Sequence, residues 1–145
     1  MRQGCSLCPV LFNLYIENAI EEVKNKFKAG VIIHGERIKI LRFAGDIVLI
    51  AEKCSDLEKI LNGMELILNK GYRMKINKGK TKVIVCNRCE RKELDIKIGK
   101  DNIQEVSEFC YLGSKITEDG RSKRDLACRI AQAKIAFYKK INLFR

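Results

Sequence analysis

The sequence predicts an α+β protein, an antiparallel sheet with two packed helices and a further helix at the end, on three observations. Apolar residues recur at three- and four-residue steps in three separate segments, the pattern of one-sided helices. Between them lie short alternating or continuous apolar runs bounded by turn residues, the pattern of hairpins. The resulting order is helix, strand, strand, helix, strand, with no internal repeat and no low-complexity stretch.

Pro9 can open a helix at its first turn, and Phe12, Ile16, Ala19, Ile20, Val23 and Phe27 then form one apolar face over residues 9–28. Glu22 and Lys26 sit outside as a favourable i,i+4 pair, and Gly30 ends the pattern. Val31-Ile32-Ile33 meets a tight turn at His34-Gly35-Glu36, after which Arg37 and Lys39 alternate with Ile38 and Ile40 as a half-exposed strand reaching Phe43. A second turn at Ala44-Gly45-Asp46 leads into the apolar run Ile47–Ala51, a strand expected to be covered on both faces. The two hairpins together predict one small antiparallel sheet.

Ser55-x-x-Glu58 has the form of a capping box, and Leu57, Ile60, Leu61, Met64, Ile67 and Leu68 follow as a helical stripe with Gly71 as its stop. Tyr72–Ile76 and Thr81–Val85 are short strand candidates around a Lys/Gly-rich turn, and Asn87–Glu93 reads as a loop. Leu94, Ile96 and Ile98 alternate with charges as a strand, and Phe109–Ile116 reads as another. Leu126, Ile130, Ala133, Phe137 and Ile141 mark the last helix, with a basic outer face.

The 145 residues fit one domain and include 29 Lys+Arg against 18 Asp+Glu, a net charge of +11 that favours polyanionic partners. No run approaches the ~20 apolar residues that span a bilayer, and the amino-terminal stretch lacks the apolar core of a signal peptide, so an intracellular location is expected. Seven cysteines, an odd number, do not suggest a disulfide framework. The pairs Cys5-x-x-Cys8 and Cys86-x-x-Cys89 could in principle hold zinc, but most of the chain separates them, and ordinary thiols are the expected reading. His34, the single histidine, sits in a turn and is not expected to act as ligand or base.

Four motifs stand at the joints between these elements. They are Arg2-Gln3-Gly4-Cys5-Ser6-Leu7-Cys8-Pro9, Phe43-Ala44-Gly45-Asp46, Asn77-Lys78-Gly79-Lys80-Thr81-Lys82 and Phe109-Cys110-Tyr111-Leu112-Gly113. In this order the set resembles the reverse transcriptase (RNA-directed DNA polymerase) of non-long-terminal-repeat, LINE-type retrotransposons. The resemblance implies a truncated palm, its first strand and the fingers missing, followed by the start of a helical thumb. The implied division is a partial palm at 1–86, a linker with primer-grip-like strands at 87–120, and the start of the thumb helix at 121–145. It places Arg2, Gln3 and Gly4 against template and nucleotide, Lys80 near the nucleotide phosphates with Asn77 and Lys82 also nucleic-acid-binding, and Tyr111, Leu112 and Gly113 in a hairpin that grips the primer backbone. Ser6 and Cys8 depart from the family pattern, which has Pro and Ser there. For Lys70 to Lys82 alone, a solvated basic loop is the plainer reading, and so is solvation for Arg124, Arg129, Lys134, Lys139 and Lys140 on the last helix.

Nucleotide addition uses two Mg²⁺ ions, and such hard cations require several carboxylate oxygens. The family's turn carries two aspartates, whereas here Gly45 takes the first place and only Asp46 remains as a catalytic or metal-binding residue. The 145-residue chain is therefore expected to be catalytically inactive and to bind no Mg²⁺ tightly. The expected partner is an RNA template/DNA primer duplex, with no membrane, and self-association through an exposed sheet edge at Ile47–Ala51 is a further expectation. The alternative function is a basic nucleic-acid-binding module without catalysis.

Overall fold

The structure, a computed structural model, describes residues 7–86 and 95–141. These group into two compact units, one holding residues 7–81 and 95–103, the other 82–86 and 104–141. The elements in chain order are α1 (Cys8–Lys26), β1 (Val31–Ile33), β2 (Glu36–Ile38), β3 (Ile40–Phe43), β4 (Asp46–Leu49), α2 (Cys54–Tyr72), β5 (Lys82–Val83), β6 (Lys97–Ile98), β7 (Asp101–Asn102), β8 (Gln104–Glu105), β9 (Glu108–Tyr111), β10 (Ser114–Thr117) and α3 (Lys123–Lys139). Among the described residues every sheet is two-stranded, and all pairs are antiparallel except β5 with β8.

The first unit is built on the two helical stripes read from the sequence. Ile16, Ala19, Ile20 and Val23 of α1 interlock with Ile60, Met64, Ile67 and Leu68 of α2, all buried. The Tyr15 ring meets Tyr72 edge-on at 5.4 Å, and the Tyr15 hydroxyl donates to the Tyr72 carbonyl at 3.0 Å. Onto this helix pair lies the β3–β4 hairpin, whose Ile40, Ile47 and Leu49 pack against the same core. Helix α1 ends before Gly30, its capping residue Phe27 being extended. The Lys39 ammonium supplies the terminus, donating to the carbonyls of Lys24 and Phe27 at 2.6 Å each. A cation on the last carbonyls of a helix is favourable both as donor and as countercharge to the dipole.

Several sequence expectations change. The two hairpins β1–β2 and β3–β4 form separate sheets rather than one. The run from Ile47 is not covered on both faces. In the β3–β4 register, Leu41 faces Val48 and Phe43 faces Asp46 on the side away from the helices, and Phe43 is 64% exposed. The Ser55/Glu58 capping box does not form, because the Glu58 carboxylate accepts the Lys97 amide at 3.2 Å instead. Helix α2 also runs through Gly71 to Tyr72, and left-handed Arg73 ends it. Residues 73–77 make no ladder, though Met74 and Ile76 turn towards the core. Asn62 fastens the β6–β7 hairpin to α2, donating to the Lys97 carbonyl at 2.8 Å and accepting the Gly99 amide at 2.9 Å.

In the second unit Phe109–Ile116 is a hairpin, β9–β10, turning at Leu112-Gly113, which agrees with the hairpin the resemblance implies and not with the single strand read from the apolar run. Helix α3 packs against β10, with Leu126, Ile130 and Phe137 exposed among the described residues.

Gly63 in the middle of α2 faces Phe27, and a Cβ there would fall on the Phe27 ring. Alanine is the better helix former by about 1 kcal/mol. Gly63→Ala is nevertheless expected to lower stability by about 1–3 kcal/mol in urea unfolding, since overpacking outweighs propensity. The added Phe27→Ala change should remove that sensitivity. Stabilisation by Gly63→Ala alone would contradict this packing.

Candidate nucleic-acid interface

The tip of the β3–β4 hairpin is the two-residue turn Ala44-Gly45, closed by the Phe43–Asp46 pair. Ala44 holds the left-handed conformation at φ 50°, which costs a non-glycine residue about 1–2 kcal/mol. Gly45 is not at positive φ, and a Cβ built on it meets nothing within 4 Å. Position 45 could therefore hold an aspartate without steric cost, so its lack of a carboxylate reflects side-chain identity and not space. Asp46 is exposed on the outer face beside Phe43. On the opposite face, Arg42 pairs with Glu17 of α1 and fixes the hairpin along the helix, while its Nη1 is buried without a partner.

The donor set at this tip does not fit the Mg²⁺ pair that nucleotide addition uses. Asp46 is the one carboxylate the turn supplies, and among the described residues no three His, Cys, Asp or Glu side chains gather as a metal site.

The Asn77–Thr81 turn separates structural from exposed residues. The Asn77 carbonyl accepts the Thr81 amide at 3.0 Å and the Thr81 hydroxyl at 2.9 Å, and its side-chain oxygen accepts the Lys80 amide at 3.2 Å. Asn and Thr thus shape the turn, and the Lys80 side chain is exposed. Lys78 is not available as an exposed cation. Asp101 at 2.9 Å and Glu65 at 3.0 Å hold it, and these hydrogen bonds, Asp101 first, raise its pKa above the ordinary lysine value. Lys82 belongs to the second unit and donates to the Gln104 side chain at 2.6 Å.

The β9–β10 hairpin carries the remaining candidates. Leu112 at φ 50° and Gly113 at φ 80° form its turn, with Leu112 53% exposed and Tyr111 half-buried. Helix α3 braces it. The Asp125 carboxylate accepts the Lys115 amide at 2.8 Å and pairs with Arg129 at 2.7 Å, and Glu108 bridges Lys115 at 3.0 Å and Arg124 at 2.7 Å. Of the five cations read as a solvated face on the last helix, Arg124 and Arg129 are thereby engaged within the unit. Lys134, Lys139 and Lys140 make no ion pair among the described residues and are exposed. The Asp119 side chain accepts the Thr117 hydroxyl and the Arg121 amide, shaping the turn into α3.

Of the residues singled out from the sequence, Asp46, Asn77 and Lys80 fall in the first unit, and Lys82, Tyr111, Leu112 and Gly113 in the second. Arg2, Gln3 and Gly4 lie outside the described residues, as do Cys5 and Cys89 of the two Cys-x-x-Cys pairs. Cys54, Cys86, Cys110 and Cys128 are free thiols. Sequence reasoning missed Glu17 and Asn62 and gave Glu58 a different partner, because Arg42, Gly99 and Lys97 lie 25, 37 and 39 positions away and no local pattern announces them. It also missed Glu108 and Asp125, each of which joins a partner within 7 positions to another 10 or more away.

Three helices with short, mainly antiparallel hairpins make this an α+β protein, an architecture compatible with part of a polynucleotide polymerase of the reverse transcriptase type. The family model for reverse transcriptase (RNA-dependent DNA polymerase) matches residues 1–116, ending within β10. The chain belongs to the reverse transcriptase family. The Asp46 hairpin, the Asn77–Thr81 turn and most of the Tyr111 hairpin all fall inside that match.

Hydrogen bonds and neighbouring cations hold the Glu108, Asp119 and Asp125 carboxyls below the usual range. The leading contacts are Lys115 for Glu108, Thr117 for Asp119 and the Lys115 amide for Asp125. Depressed carboxylate pKa values give stability that is fully present above the unfolded value of ~4 and is lost as pH falls through the folded values. Amide protection at Lys115 and along β9–β10 should therefore drop as pH is lowered below ~4, measured by hydrogen exchange corrected for intrinsic rates. Unchanged protection down to pH ~3 would contradict the bracing role of these acids.

Proposed function

We propose that the chain is the palm and the beginning of the thumb of a LINE-type retrotransposon reverse transcriptase, and that these 145 residues do not polymerise DNA by themselves. On this reading residues 1–86 are palm, 87–120 carry primer-grip-like strands, and 121–145 begin the thumb. One observation carries the inactivity. The hairpin turn that presents the family's carboxylates has Gly45 in the first place and Asp46 alone in the second. A single carboxylate leaves two Mg²⁺ ions held mostly by water and substrate, too few charges to neutralise a triphosphate and activate a primer hydroxyl.

A second reading, a nucleic-acid-binding module without catalysis, is favoured by the exposed Arg73, Lys75 and Lys80 around the Asn77 turn, which make no ion pair among the described residues. Backbone phosphates are the natural partners of such a surface, since Lys and Arg gain affinity by releasing counterions.

Primer extension on an RNA template tests both readings. The purified 145-residue chain should yield no templated product with Mg²⁺ or Mn²⁺, while retention of labelled duplex in the same reactions would favour the binding module. Gly45→Asp should fold with a stability within about 0.5 kcal/mol of the parent, as expected for an open surface position, and should also yield no product. Synthesis by either protein would refute the assignment of inactivity.

A further inference from the structure

A groove of about 380 Å³ lies between the carboxy-terminal end of α1 and the amino-terminal end of α2. Lys26 and Lys28 stand on one side, Lys53 and Lys59 on the other, and Arg37 of β2 reaches it as well. Against these five cations the lining has two carboxylates, Glu52 and Asp56, a balance of 5 − 2 = +3. Asp56 is engaged by Lys59 at 3.6 Å. The Glu22–Lys26 pair expected from the sequence is not formed, and Lys26, Lys28, Arg37 and Lys53 make no ion pair among the described residues.

The negative end of the α1 dipole would ordinarily offset some of this charge. Lys39 already caps it through the carbonyls of Lys24 and Phe27. The resulting positive field acts on Lys39 itself. Burial first, then Arg37 and Lys24, lower its pKa from the ordinary lysine value. Phe27 contributes the groove's apolar wall, and none of the residues lining the groove is an exposed large hydrophobic side chain. Nothing at the rim could insert into a bilayer, so a lipid surface fits poorly. Four unengaged cations from separate parts of the chain suit a polyanion that repeats its charge along a backbone better than a single small anion.

We propose that this groove binds the phosphate backbone of nucleic acid, as a contact separate from the Asp46 hairpin. The hairpin and groove meet α1 at different points, mid-helix and at its carboxy-terminal cap. Arg42, near the hairpin tip, meets Glu17, and Lys39, near the groove, meets Phe27. Ten helical positions correspond to about 15 Å, beyond the ~10 Å screening length at moderate salt. The groove thus contributes its own phosphate contacts, independent of metal-binding carboxylates. The inference rests on the family's polyanionic substrate class, but not on whether the hairpin is active or the Asn77 turn is a binding track.

The experiment uses the full chain and a labelled oligothymidylate of about 20 nucleotides, titrated by fluorescence anisotropy between about 25 and 200 mM salt. A groove variant carries Lys26→Glu, Lys28→Glu and Lys53→Glu. A loop variant carries Arg73→Glu, Lys75→Glu and Lys80→Glu. The groove variant is expected to bind at least ~10-fold more weakly at the lowest salt, and its slope of log affinity against log salt should shrink by about 2, from three phosphate contacts at ~0.7 each. Parent-like affinity and slope in the groove variant, or no binding by the parent chain, would overturn the proposal. Loss in the loop variant alone would overturn it while leaving the basic turn as the binding surface. Loss in the groove variant alone would support it and remove the turn from the binding-module reading. Groove-dependent binding to phosphatidylserine vesicles without binding to the oligonucleotide would also overturn it. If charge reversal prevents folding, Lys26→Gln, Lys28→Gln and Lys53→Gln keep the comparison, with about half the change in affinity expected on a logarithmic scale.

Discussion

The first unit depends on one interface, the interlock of the α1 stripe Ile16, Ala19, Ile20 and Val23 with the α2 stripe Ile60, Met64, Ile67 and Leu68. Each of these side chains is nearly or fully removed from water, and burial of the Ile, Val, Leu and Met side chains among them contributes about 1.5–3 kcal/mol apiece before entropy is counted. The β3–β4 hairpin leans on this helix pair. Its sheet is two-stranded, and a lone two-stranded sheet is marginal in water. Ile40, Ile47 and Leu49 lean on the helix pair, and the Arg42–Glu17 pair sets how far the hairpin extends along α1. The position of Asp46 is thus a consequence of helix packing.

Geometry and chemistry part company at the hairpin. The turn is built, the strands are in register, and position 45 has room for a side chain. What is missing there is a carboxylate, and no repositioning of Asp46 supplies a second one. Charge elsewhere in the chain has also been redistributed by folding. Lys78, Arg124 and Arg129 are tied to carboxylates, and Lys39 to carbonyls. The exposed Lys80, Lys134, Lys139 and Lys140 and the groove's Lys26, Lys28, Arg37 and Lys53 remain for solvent or a polyanion.

Much of this was legible in the amino-acid order, for a physical reason. The α1 and α2 stripes are local periodicities, and the buried residues are nearly those the stripes named. The hairpin turns at His34-Gly35 and Ala44-Gly45 were also readable, because the turn residues lie beside short apolar runs. Strand pairing was less legible. β5 and β8 pair in parallel across about twenty residues through two-residue ladders, too short to leave a pattern. Phe109–Ile116 read as one strand because Leu112 continues the apolar run through a turn that only Gly113 marks. The capping box at Ser55 and Glu58 failed since Lys97, 39 positions from Glu58, offered its carboxylate an amide. Gly63 gave no signal at all, because the reason for its lack of a side chain is the ring of Phe27 on another element.

On the proposed reading the hairpin tip of this chain assembles no divalent metal site. Paramagnetic broadening of backbone amide resonances on titration with Mn²⁺ tests it directly, reading metal proximity without requiring turnover. The account predicts no saturable broadening centred on Ala44–Asp46 below about 1 mM. Saturable broadening there at lower concentration, abolished by Asp46→Asn, would contradict it.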